Sequence, residues 1–177
     1  MSTEVSLYTP ILNLIWMNIP NYAEEIKRIS ELGSKHPLLS DILKNIKERE
    51  DIACLRVEDL RKKGSFIGYI VYIWNNRWIY ILDLVIVPEI DEFEAKTQVI
   101  KKLIDRLKQR NRSCIVIDVR ETHFILQTAL KRCEFKAIKV LPDFFEGEDA
   151  YRMIYTVKGS KFLLRSFERE INSRLAT

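Results

Sequence analysis

The chain has 177 residues, 47% of them hydrophobic and 31% charged, which suits one domain with a substantial core and excludes a disordered polyampholyte. Twenty-nine basic residues against twenty-five acidic ones leave a net charge of +4, too mild an excess to name a partner. No apolar run reaches bilayer length, so no membrane span is expected, and MSTEVSLYTP lacks the basic-then-apolar pattern of a secretory leader.

Ile11–Met17 is apolar and reads as a strand. Pro20 can open a helix carrying Tyr22, Ile26 and Ile29, which Gly33 ends; a second helical stretch after Pro37 carries Leu39, Ile42, Leu43 and Ile46. Ile52–Val57 is a strand. Phe66–Trp74 and Trp78–Val87, two β-branched and aromatic runs around Asn75, Asn76 and Arg77, form the strongest hairpin signal. From Asp91 to Arg110 the period becomes 3.6, with Val99, Ile100, Leu103, Ile104 and Leu107 in one stripe. Cys114–Val119 is a nearly continuous apolar run, as expected of a strand buried on both faces. A helix from about Thr122 to Arg132 follows, then strand Phe135–Leu141, a polar loop PDFFEGEDA and strand Tyr151–Val157. In the tail Ser160 is placed to cap a helix bearing Leu164, Phe167, Ile171 and Leu175. The order β-α-α-β-β-β-α-β-α-β-β predicts an α/β domain with a mixed sheet.

Cys54, Cys114 and Cys133 form no CxxC pair, and His36 and His123 have no ligand-type spacing. The expectation is a reduced, cytoplasmic protein with inert core thiols and no metal site. Only five glycines occur, and none falls between Gly68 and Gly147, so the middle of the chain has no glycine-rich phosphate loop. The basic run Lys101–Arg112 lacks interleaved aromatics and reads as a solvated helix face rather than a nucleic-acid surface. Tyr69, Tyr72, Trp74, Trp78 and Tyr80 cluster in the hairpin, as core and cross-strand pairs or as one wall of an acceptor groove.

This element order, together with IGYIVYIW, LDLVIVPE, IDVRETH and FFEGEDAYRMIY, resembles the GNAT acetyltransferase superfamily, in particular its ribosomal-protein N-terminal acetyltransferase branch. The resemblance implies a mixed, mostly antiparallel sheet flanked by helices over residues 1–157, with residues 158–177 as an added amphipathic helix. It also implies acetyl coenzyme A as donor and a protein or peptide amine as acceptor. Leu84, Val85, Ile86, Thr97 and His123 would line the donor, His123 matching a cofactor-contacting asparagine or else simply starting a helix. Asp118 matches the branch's general-base carboxylate; a partner for Arg120 or a cap for the next helix is the alternative. The branch's general-acid tyrosine corresponds to Leu130, which has no proton to give. Glu134 replaces a glycine before Phe135.

The pyrophosphate loop differs most from the branch. Asp91 lies where the basic cluster begins, and Glu94 and Lys96 lie where the branch has glycines. Asp91 and Glu94 have capping-box spacing, so the helix N-terminus is expected to satisfy its own N–H groups. A carboxylate about 6 Å from a phosphate charge costs roughly 0.7–3 kcal/mol, depending on the effective dielectric. The expectation is therefore an acetyltransferase-like protein with weakened or lost activity; the alternative is a non-catalytic binding or regulatory module on the same scaffold. The tail stripe is expected to be buried, against the domain or in a homodimer or partner contact.

Overall fold

The computed structural model describes residues 9–16, 50–62, 65–162 and 164–175. The helices expected after Pro20 and Pro37, and His36, lie outside the described residues. Seven strands make one sheet: β1 (Leu12–Trp16), β2 (Ile52–Asp59), β3 (Ser65–Trp74), β4 (Trp78–Ile86), β5 (Cys114–Arg120), β6 (Lys136–Phe145) and β7 (Glu148–Thr156). Their order is β1-β2-β3-β4-β5-β7-β6, which leaves β1 and β6 as edges among the described residues. Every pairing is antiparallel except β4 with β5. A parallel pair needs a long crossover, supplied here by α1 (Glu92–Gln109). The other described helices are α2 (Phe124–Arg132) and α3 (Leu164–Leu175).

Both faces of the sheet are buried, which is why β4 and β5 read as apolar runs rather than alternating ones. On one face Ile79, Ile81, Ile115 and Ile117 meet Val99 and Leu103 of α1 and Ala129 and Leu130 of α2. On the other, Tyr69, Trp78, Tyr80 and Val116 meet Phe167 and Ile171 of α3. The β3–β4 turn is held by the Asn75 side-chain oxygen, which accepts from the Arg77 and Trp78 N–H groups at 2.7 and 2.8 Å.

Phe167 and Ile171 of the tail stripe are buried against their own chain, and Leu164 is partly buried there. Phe167 meets Trp78 and Tyr80 edge-on, with ring centroids 5.3 and 5.5 Å apart. Glu170 accepts from the Trp78 indole at 3.1 Å and from Asn75 Nδ2 at 2.7 Å. Ser160 is not the cap of α3, which begins at Leu164; its N–H instead closes a turn onto the Val157 carbonyl at 3.0 Å, next to Gly159 at φ 86°.

The segment PDFFEGEDA is not a loop. It is the close of β6 and the start of β7, joined at Glu146 and Gly147, whose φ values of 41° and 93° suit a tight primed turn. Phe145 anchors this hairpin, fully buried under the Arg120 guanidinium at 4.6 Å.

Candidate functional site

The parallel pairing of β4 and β5 stops at Ile81 opposite Ile117, although β4 continues to Ile86 and β5 to Arg120. The cause lies in β4. Tyr72 pairs with Ile81 and Val71 with Asp83, so Leu82 is an extra residue, a bulge that bends the strand away from β5. Leu82 packs on the α3 face, and Asp83 turns to the same face to reach Tyr69, which breaks the in–out alternation. Gly68 lets β3 follow this bend, since a Cβ there would lie 2.1 Å from the Val85 carbonyl oxygen.

The strands thus open into a cleft lined by Leu82, Asp83, Leu84, Ile117, Val119 and His123. Only about 10 Å³ of it is open to the centre of a water molecule, the threshold for holding one. At His123 on the rim of this opening, Lys96 of α1 hydrogen-bonds to Nε2 at 2.9 Å, and it forms an ion pair with Glu92. His123 Nε2 lies 3.6 Å from the same Glu92 oxygen. The three side chains tie the N-terminal turn of α1 to the start of α2. Burial pushes the Lys96 ammonium down, and Glu92 partly opposes this. The Glu92 carboxyl is lowered to about 2, chiefly by the hydrogen bond with His123, against a burial cost and with help from Lys96.

Part of the α1 N-terminus is also engaged. Asp91 Oδ1 accepts from the Glu94 N–H at 3.1 Å, as the capping spacing predicts, and Glu94 is paired with Arg132. Thr97 is buried, and its hydroxyl donates to the Phe93 carbonyl of its own helix at 2.7 Å. Of the other predicted donor-lining residues, Leu84 and Ile86 belong to the helix-side core and Val85 to the opposite one. His123 does precede α2, yet its side chain makes no cap bond.

Asp118 lies on the α3 face of β5 and is 4% exposed. Arg152 Nε and Nη2 donate to its two oxygens at 2.8 and 2.7 Å, and the Tyr80 hydroxyl donates at 2.6 Å. Burial, then the Asp118 charge, raises the Tyr80 phenol well above its usual range. Arg152 also reaches Glu168 of α3 at 3.1 Å, and Lys139 meets that glutamate at 2.6 Å. Arg120 instead pairs with Glu148 at 2.8 Å. Asp118 is therefore neither Arg120's partner nor a helix cap. Leu130 is fully buried in the helix-side core.

Sequence reasoning missed two groups here. Asp83, buried and accepting from Tyr69 at 2.8 Å, is a charged residue inside a long apolar strand, which was the available signal. Arg152 carried the same signal in YRMIYTV. The three cysteines are buried thiols, with Cys54 and Cys114 pushed up to about 12, first by burial. Among the described residues no cluster of His, Cys, Asp and Glu has the arrangement of a metal site.

No protein-family model matches this sequence, and no curated protein matches it. Solved structures do share the fold. A spermidine N-acetyltransferase from Vibrio cholerae, in complex with CoA and spermine, is 17% identical over 82% of this chain and 95% of its own, with a TM-score of 0.65. Arabidopsis thaliana NAA60, in complex with a bisubstrate analogue, is 19% identical over 85% and 100%, with a TM-score of 0.64. An aminoglycoside 6'-acetyltransferase type Ii is 14% identical over 85% and 99%, also with a TM-score of 0.64. The mixed, mostly antiparallel sheet flanked by helices is thus a GNAT-type fold, shared with these acetyltransferases.

Proposed function

We propose that the chain is an N-acetyltransferase-fold protein whose donor groove is closed by its own side chains. It serves as a binding or regulatory module, with acetyl transfer weak or absent. The observation that carries this reading is Lys96, which is bonded to His123, a residue lining the β4–β5 opening, and paired with Glu92. A pyrophosphate at a helix N-terminus needs close access to backbone N–H groups and a favourable field. The cap and first turn of α1 instead carry Asp91, Glu92 and Glu94, and the Lys96 ammonium beside them already has partners. These residues do not fit acetyl coenzyme A. On the acceptor side, both oxygens of Asp118 are held by Arg152, and Leu130 has no proton to give.

The retained bulge at Leu82 and the splay beyond Ile81 favour a second reading, an active N-acetyltransferase for a protein or peptide amine. Calorimetric titration with acetyl coenzyme A separates the two. No saturable heat is expected at micromolar donor, and a dissociation constant in the low micromolar range would overturn the first reading. The triple variant Asp91→Arg, Glu94→Gly, Lys96→Gly removes the cap, one carboxylate and the bridging lysine, and is expected to gain affinity.

A further inference from the structure

At the opposite end of β4 from the cleft lies a larger cavity, with about 230 Å³ open to the centres of water molecules. Its apolar wall is Tyr72, Trp74 and Ile79, and its polar wall includes Arg106 and Arg110 of the α1 C-terminal end and Arg112 just beyond. Among the described residues, no carboxylate pairs with any of these three arginines.

Two of the guanidinium groups are nonetheless fixed in place. Arg106 Nη2 donates to the Leu14 carbonyl at 2.9 Å. Arg112 Nε donates to the Asn75 carbonyl at 2.6 Å, and its guanidinium lies 4.4 Å from the Trp74 ring centroid. Arg106 also interacts with the Tyr72 hydroxyl, and since an arginine carries five donors, each of these guanidinium groups keeps donors for another acceptor. Cations near a helix C-terminus also complement its dipole, and that accounts for Arg106 and Arg110. It does not account for Arg112, held beyond the helix on the wall of the same cavity.

We propose that this cavity binds a small organic phosphate, the phosphate meeting Arg106, Arg110 and Arg112 and the uncharged body lying on Trp74, Tyr72 and Ile79. A carboxylate offers two oxygens and one negative charge, whereas a phosphate monoester offers three terminal oxygens and nearly two charges, and so answers three guanidinium groups better. Pre-positioned arginines lower the ordering cost of binding. The site is independent of the cleft and of whether the protein transfers acetyl groups.

The test is calorimetric titration of the full chain with AMP, with inorganic phosphate and adenosine run alongside. Expected is saturable, sub-millimolar AMP binding that exceeds both fragments and weakens about tenfold in Arg110→Gln and in Arg112→Gln. Arg110 is exposed and has no protein acceptor among the described residues, so its variant is expected to fold as the parent does. Trp74→Phe should weaken AMP more than inorganic phosphate. The proposal is overturned by absence of saturable AMP binding at millimolar concentration, or by binding that the arginine variants leave unchanged. Saturable binding of a single-stranded RNA oligonucleotide without any of AMP would overturn it too.

Discussion

Arg152 grips both oxygens of Asp118, Nε to Oδ1 at 2.8 Å and Nη2 to Oδ2 at 2.7 Å, under the cover of α3. Two adjacent strands of the sheet thus share one buried ion pair, at register partners on β5 and β7. Removing one partner leaves an uncompensated buried charge. Arg152→Met is expected to lose about 3–5 kcal/mol of stability in urea denaturation, whereas Tyr80→Phe should lose only about 1 kcal/mol. Equal, small losses in both variants would count against a clamped carboxylate.

The Glu92–Lys96–His123 bridge has a pH signature. Glu92 is lowered from 4.5 to about 2 in the fold. A depressed carboxyl contributes stability that is fully present above its unfolded value and is lost as the pH falls toward the folded one. Wild type should therefore lose roughly 1–2 kcal/mol more than Glu92→Gln between pH 5 and pH 2, a figure reduced for partial exposure of the carboxylate. Parallel stability-against-pH curves for the two proteins would contradict the bridge.

Glu134 has a φ of 66°, so the left-handed turn that a glycine accommodates at this position persists without the glycine. Glu134→Gly is expected to raise stability by about 1 kcal/mol, readable as an increase of a few degrees in melting temperature. An unchanged or lower melting temperature would mean that the turn is not strained.

Leu130 is fully buried against the α1 side of the core. Introducing a tyrosine there adds a ring and a hydroxyl to packed space, so Leu130→Tyr should cost about 1–3 kcal/mol and not restore acetyl transfer alone. A Leu130→Tyr protein as stable as its parent, with new transferase activity, would reverse this view of the position.

The sequence made some elements legible because one period dominated them. The α1 stripe from Val99 to Leu107 and the hairpin around Asn75 both came through with the expected faces and turn. The hairpin of β6 and β7 did not, because Pro142, Asp143 and Glu146 interrupt any alternation near Phe145. Its primed turn rests on Glu146 and Gly147, not on a commoner asparagine–glycine pair. At the site, Asp91 as a cap was readable from local spacing. The Lys96–His123 contact spans 27 positions and the Arg152–Asp118 pair 34, distances that no local pattern encodes. The bulge at Leu82 was hidden for another reason: in a strand apolar on both faces, one extra residue leaves no break in the hydrophobic pattern.

The position of β6 at the sheet edge has a consequence for self-association. An unpaired strand edge is a template for another chain, and Ile138 and Val140 stand exposed on it at 38% and 51%. Lys136 and Lys139 interrupt this apolar stretch, and Pro142 removes a donor further along. Lys139 is also tethered to Glu168 of α3, so the last helix holds a gatekeeping charge where β-pairing between molecules would begin. Releasing that lysine, as in Glu168→Gln, is therefore expected to change how readily the chain self-associates at high concentration, which light scattering reads.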